Sequence, residues 1–145
     1  MIVNAVSRAL NYLARRSRTE QEIRTYLKDK GHHEAEINQC IEKLKHYQYL
    51  DDHRTAREFV AYRERSKPMG RFRLKRELQS RGVTQAIIEE VLAEFDGEKE
   101  LALARQAIAN KNFTSQQKLT RYLLYRGFSY EQAAKIWRDE FARND

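Results

Sequence analysis

Basic side chains, which bind anions, are concentrated in one segment of this sequence. Residues 54–81 hold ten Lys and Arg against three Asp and Glu, which accounts for the whole-chain net charge of +7. Such a focus of positive charge attracts polyanions, phosphodiester backbones among them. The alternative is a solvated helix face that pairs such as Arg73 with Glu77 neutralise in part. The segment therefore predicts a polyanion-binding surface.

Eight cations of this segment are the candidate binding residues. They are expected to face DNA phosphates or an acidic protein surface: Arg57, Arg63, Arg65, Lys67, Arg71, Arg73, Lys75 and Arg76. A flanking set lies outside the segment: Arg15, Arg16, Arg18, Arg121 and Arg126. Phosphate contacts carry no base information, so we expect non-specific DNA binding that weakens steeply with salt.

Catalytic and cofactor motifs are absent from the sequence. There is no phosphate-binding glycine loop, no His-Glu-x-x-His and no Cys-x-x-Cys. The four histidines match no zinc spacing, and the single cysteine, Cys40, falls on an apolar helical stripe, which is typical of a buried side chain. Asp51 and Asp52 directly precede a helix, where carboxylates cap free N–H groups. The sequence predicts a protein without cofactor, metal or enzyme activity.

Apolar residues recur with a helical period from one end of the chain to the other. Thr19 and Glu22 have the spacing of a capping box, and Gly31, Gly82 and Gly127 each follow a basic residue, as glycines at helix ends do. Gly97 is interpreted in the same way. The pattern predicts an all-α protein of nine helices, each about 10–16 residues long.

An internal repeat organises these helices. When the three glycines that follow a basic residue are aligned, Ile or Leu stands eight residues before each of them and Leu stands four residues before. The register predicts three tandem three-helix repeats, at residues 3–47, 51–95 and 98–143. Stacked units of this kind form an elongated, curved body that suits an extended partner.

The cellular compartment and the oligomeric state are predicted from features that the sequence lacks. One cysteine favours a reducing compartment, and the sequence contains neither a run of 18 apolar residues nor a recognisable secretory signal. We therefore expect a cytoplasmic protein, a monomer without membrane contact.

Three stretches carry a resemblance to a known family. They are Ala9–Arg16 with Ser17 and Thr19; Tyr49–Asp52 with Arg54, Ala56, Phe59 and Val60; and Pro68–Arg71 with Leu74, Glu77, Leu78 and Arg81–Val83. The tail Tyr122–Glu131 adds a fourth match. The chain resembles the RecX family, bacterial regulators of the recombinase RecA. The resemblance implies three tandem three-helix repeats without enzyme activity. It also implies binding along the groove of the RecA–DNA filament and inhibition of its recombinase, ATPase and coprotease activities.

Two other functions stay open on the residues alone. Leu74 to Leu92 could form a helix-turn-helix that reads DNA, although the helix after Gly82 carries three glutamates and no Lys or Arg. A protein-interaction scaffold that never touches DNA is the other alternative.

Overall fold

The computed structural model describes residues 4–142 and is built of helices joined by short turns. Over this range there are nine α-helices and no strand, which confirms the all-α prediction. The outer bounds of the first and third predicted repeats, residues 3 and 143, lie outside the described residues. The helices are α1 (Ala5–Leu13), α2 (Glu20–Asp29), α3 (Glu34–His46), α4 (Asp52–Arg65), α5 (Arg71–Ser80), α6 (Gln85–Ala93), α7 (Gly97–Ile108), α8 (Gln116–Tyr125) and α9 (Tyr130–Glu140).

The chain divides into two compact units. Unit 1 consists of the described residues up to Glu58 together with Leu78–Ile88. Unit 2 consists of Phe59–Glu77 together with the described residues from Glu89 onward. Helices α4, α5 and α6 each contribute residues to both units.

The core of unit 1 is formed by the apolar faces of α1, α2 and α3. The predicted stripes on α2 and α3 are buried, and Cys40 is a buried free thiol, as expected. In α1 the most buried side chains are Ala5 and Ala9, whereas Val6, Leu10 and Leu13 of the predicted stripe are partly buried. A stripe of alanines lets a helix approach its neighbours closely, so the larger side chains of α1 lie at the margin of the core.

Thr19 connects two helix ends in unit 1. Its hydroxyl accepts the N–H of Glu22 at 3.1 Å and donates to the carbonyl of Arg81 at 2.5 Å, and the Glu22 carboxylate accepts the N–H of Thr19 at 2.8 Å. The predicted capping box is thus confirmed. The Arg81 guanidinium closes the arrangement with a 2.9 Å bond to Glu22. Burial would raise the pKa of Glu22, but the hydrogen bonds from Arg81 and Thr19 outweigh it and lower that pKa.

Asp51, directly before α4, and Asp52, its first residue, are both caps. Asp51 accepts the N–H of Arg54 at 3.1 Å, which confirms the capping role in its own helix. Asp52 instead accepts the N–H of Glu20, the first residue of α2, at 2.8 Å. Burial raises the pKa of Asp52 above its ordinary value. The pair therefore caps two different helices, α4 and α2.

A close backbone contact joins α5 to the end of α8 in unit 2. The N–H of Gly70 donates to the carbonyl of Arg126 at 2.9 Å, and the N–H of Phe72 donates to the carbonyl of Gly127 at 3.1 Å. Gly127 has a φ of +95°, and a Cβ at this position would lie 2.4 Å from the Cβ of Arg73. The positive φ and the lack of room for a Cβ beside Arg73 both require glycine at this position.

Gly97 does not end a helix, and its interpretation from the sequence was wrong. It is the first residue of α7, and Asp96 caps that helix by accepting the N–H of Lys99 at 2.7 Å. The three glycines that follow a basic residue do have positive φ, as predicted. The difference arises because Asp96 supplies a cap oxygen, and a residue after such a cap begins a helix.

Gly127→Ala should destabilise the protein more than Gly31→Ala. Both glycines have a φ above +90°, but a Cβ at Gly31 would have no atom within 4 Å. We expect Gly31→Ala to lower the free energy of unfolding by about 1 kcal/mol and Gly127→Ala by about 3 kcal/mol, because steric overlap is added to strain. Urea denaturation followed by circular dichroism measures both. Equal losses would contradict the close contact.

Arg81→Gln should make the stability of the protein less sensitive to acid. Since the folded-state pKa of Glu22 is lowered, its pairing stabilises the fold above the ordinary value of 4.5 and is lost as the pH falls through the folded-state pKa. The free energy of unfolding of the wild type should exceed that of the variant by about 1–3 kcal/mol at pH 7, and this difference should disappear at low pH. Arg76→Gln, which removes an exposed arginine of the preceding helix α5, is the control, and a difference that persisted at pH 2 would refute the assignment.

Candidate polyanion-binding site

The eight predicted cations fall into two groups by exposure. Five are exposed: Arg57, Arg65, Lys67, Lys75 and Arg76. Three are half-buried: Arg63, Arg71 and Arg73. Arg57 belongs to unit 1 and the other seven belong to unit 2, so the candidate site consists of unit 2 residues.

Arg71 forms its hydrogen bonds within the fold of unit 2. Its backbone N–H and its Nε both donate to the Glu100 carboxylate, at 2.7 and 3.2 Å, and its guanidinium also donates to the carbonyl of Phe95. Glu100 is 4% exposed, and a buried carboxylate requires such a partner. The charge of Arg71 is therefore neutralised within unit 2. Sequence reasoning missed Glu100, because nothing in the run from Glu98 to Glu100 distinguishes the buried acid from the exposed one.

In unit 2 the charges of two arginines act on a third, and we call Arg63, Arg73 and Arg126 the arginine cluster. Arg126 is held in place by two 2.7 Å hydrogen bonds from its guanidinium to the carbonyls of Lys67 and Pro68. Burial lowers the pKa of Arg126, and the charges of Arg73 and Arg63 lower it further. Arg63 and Arg73 are thus each close enough to Arg126 to repel its charge.

The arginine cluster is incompletely neutralised. Arg73 has one acidic neighbour, Glu77, whose carboxylate lies 3.6 Å from its Nε. Over the described part of the chain, neither Arg63 nor Arg126 has a carboxylate within 4.0 Å, and the buried Nε of Arg63 has no hydrogen-bond partner. A bound polyanion would relieve this repulsion and supply the missing acceptors.

Exposed aromatic and basic side chains extend the cluster along its own helices. The Arg73 guanidinium lies 4.9 Å from the centre of the Tyr125 ring, and Tyr125 is 60% exposed. On α5, Phe72 is 57% exposed, and Lys75 and Arg76 follow it at the three- and four-residue spacing of one helix face. Arg121 stands one turn before Tyr125 and is exposed too. Sequence reasoning assigned no role to either aromatic residue, and the period of α5 and α8 could have pointed to both.

The remaining flanking cations lie in unit 1. Arg15 and Arg16 are exposed in the turn after α1. Arg18 is half-buried, and its guanidinium lies 3.9 Å from the centre of the Tyr12 ring. These three residues therefore belong to a different part of the structure from the arginine cluster.

The described part of the chain holds neither a cluster of metal ligands nor a membrane-spanning helix. No group of three His, Cys, Asp or Glu within residues 4–142 is arranged to hold a metal ion. Over the same range, every helix is too short or too polar to span a bilayer.

Comparison with known proteins decides the family. Residues 5–44 match the family model described as the first three-helix domain of RecX, and residues 51–92 match the second three-helix domain. The chain belongs to the RecX family. The resemblance inferred from the sequence is thereby confirmed, and so is an all-α fold that contains three-helix domains.

Individual relatives cover nearly the whole chain. The Regulatory protein RecX of Prosthecochloris aestuarii is 35% identical over 146 residues, which cover 97% of this chain and 95% of the relative. That of Clostridium acetobutylicum is 31% identical over 153 residues, covering 97% and 71%.

Solved structures of RecX have a similar fold. The crystal structure of RecX from Lactobacillus salivarius superposes with a TM-score of 0.81 at 24% identity and covers 93% of both chains. A second crystal structure of a regulatory protein RecX gives a TM-score of 0.79 at 27% identity, covering 94% of this chain and 70% of that one.

Arg71→Gln and Lys75→Gln should differ sharply in stability although each removes one charge. Loss of Arg71 leaves the Glu100 carboxylate buried without its partner, and we expect the free energy of unfolding to fall by about 2–3 kcal/mol. Lys75 is exposed, and its loss should change stability by less than about 0.5 kcal/mol. Chemical denaturation measures the difference. Equal stability would show that the Glu100 pair does not hold in solution.

Proposed function

We propose that this chain is a non-enzymatic regulator of the recombinase RecA, acting in the cytoplasm as a monomer that binds along the groove of the RecA–DNA filament. In this proposal it limits the recombinase, ATPase and coprotease activities of the filament. Membership of the RecX family and relatives that carry the name Regulatory protein RecX support the proposal.

The observation that carries the proposal is the incompletely neutralised arginine cluster in unit 2. Arg126 is repelled by the charges of Arg63 and Arg73, and of the three only Arg73 has a carboxylate neighbour, which favours a partner with regularly spaced negative charge. A phosphodiester backbone has that property, and exposed Arg65, Lys67, Lys75 and Arg76 would add phosphate contacts to those of the cluster. Arg57 is a further exposed candidate on α4, and Arg71 contributes through its support of the fold.

The binding should be insensitive to base sequence. Phosphate contacts position a protein on DNA, whereas sequence is read at base edges. The helix-turn-helix alternative would require α6 to read a groove, and α6 carries Glu89 and Glu90 with no basic residue. Its charge therefore opposes that alternative. The scaffold alternative predicts binding to the recombinase that does not respond to salt.

Removal of four exposed cations of unit 2 should weaken binding and its salt dependence together. The variant is Arg65→Gln, Lys67→Gln, Lys75→Gln and Arg76→Gln, and the measurement is anisotropy of labelled DNA, bare and coated with recombinase, across a salt series. Each lost phosphate contact lowers the slope of log affinity against log salt by about 1, so we expect the slope to fall by up to about 4. Inhibition of the recombinase ATPase should weaken in parallel.

The control removes the same charge elsewhere. Lys28, Lys30, Lys43 and Arg138 are exposed, and their replacement by Gln keeps the net charge equal between the two variants. An unchanged salt slope in the first variant would refute the phosphate role. Equal losses of affinity in both variants would show that only the net charge matters. Recombinase binding without any salt response would favour the scaffold.

A further inference from the structure

A cleft in unit 1 has no part in the proposed function. It lies where the end of α1 meets the start of α4 and has a volume of about 460 Å³. Half-buried Leu10 and Leu13 form its aliphatic wall, and Tyr49, which is 56% exposed, stands at its side. We call it the α1–α4 cleft. Its size and its aliphatic wall suit one or two large apolar side chains.

Two arginines line the α1–α4 cleft, and neither is neutralised. Arg18 packs on Tyr12, which in turn stacks on Tyr26 with ring centres 4.0 Å apart. Arg54 donates to the carbonyl of Gln48 at 3.1 Å. The residues that line the cleft include no Asp or Glu, and within residues 4–142 neither guanidinium has a carboxylate within 4.0 Å. One acid lies next to the cleft, since Ser17 of its lining donates a hydrogen bond to the Glu58 carboxylate at 2.5 Å, so the cleft presents two arginines against one nearby carboxylate beside an apolar wall.

We propose that the α1–α4 cleft binds a segment of a partner protein in which a carboxylate lies next to a large apolar side chain. The apolar side chain packs on Leu10 and Leu13, and the carboxylate accepts hydrogen bonds from the planar guanidiniums of Arg18 and Arg54. Charge complementarity selects an acidic segment and disfavours a basic one. The site is independent of the arginine cluster and needs no DNA.

The wall of the cleft favours a peptide over a nucleic acid. Unpaired bases bind by stacking on exposed aromatic faces along a groove that follows the backbone. Here Leu10, Leu13 and Ala14 contribute aliphatic surface, the ring of Tyr12 is already occupied by Arg18 and Tyr26, and Tyr49 offers a single exposed ring instead of a row of them. A leucine, methionine or phenylalanine side chain matches that surface better than a base does.

The test is a titration of the labelled full chain with a defined peptide. The probe holds a Glu-Leu-Asp core between Gly-Ser spacers, and two comparison peptides replace its acids by Gln and Asn or its Leu by Ser. We expect the amide NMR signals of Leu10, Leu13 and Tyr49 to shift, with an affinity about tenfold above that for either comparison peptide. Absence of shifts at these residues, or equal affinity for the three peptides, would overturn the proposal.

Matched variants assign the carboxylate contact. Arg18→Gln with Arg54→Gln should lower the affinity for the peptide about tenfold or more, whereas Lys28→Gln with Lys43→Gln, exposed lysines of the same unit, should leave it unchanged. Because Arg18 packs on Tyr12, Arg54→Gln alone is the variant that preserves the fold, and it should give several-fold weaker binding. A single-stranded oligonucleotide that shifts these residues when the peptide does not would overturn the proposal in favour of phosphate binding.

Discussion

The close backbone contact between Gly70 and Gly127 is the constraint on which the candidate site depends. It brings the start of α5 against the end of α8, and the two hydrogen bonds across it set the distance. As a consequence Arg73 and Arg126 lie near each other despite their mutual repulsion. Arg126 is held there by the carbonyls of Lys67 and Pro68, which accept its hydrogen bonds without neutralising its charge.

The basic segment divides into cations that stabilise the fold and cations that remain available to a partner. Arg71 neutralises the buried Glu100, and Arg81 pairs with Glu22 in the cap of α2. Glu100 is buried and Glu22 is half-buried, so removing either arginine leaves a carboxylate without its partner, which costs more than breaking a surface pair does. The exposed cations Arg65, Lys67, Lys75 and Arg76 lack such a role, and this difference separates structural charge from binding charge.

Close packing of α1 has a consequence of its own in unit 1. Since Ala5 and Ala9 fill the contact with the neighbouring helices, Leu10 and Leu13 stay at the margin and form the wall of the α1–α4 cleft. Arg18, stacked on Tyr12, closes one side of that wall. The two alanines on one face of α1 thus leave an apolar surface exposed next to the arginines of the cleft.

By itself, the sequence determined the helices, most of the core and the family. Local features can be predicted from a sequence because they depend on neighbouring residues. They include the helical period of Ile23, Leu27, Ile37 and Ile41, the capping box at Thr19 and the positive φ of Gly127. Tertiary structure decided which cations are free. Arg71 and Lys75 have the same charge and lie four residues apart, yet one meets Glu100 and the other meets water, because that outcome depends on a residue 29 positions away along the chain. The same reason places Arg126, a flanking candidate, at the centre of the arginine cluster: long-range packing, and not spacing, brings it beside Arg73.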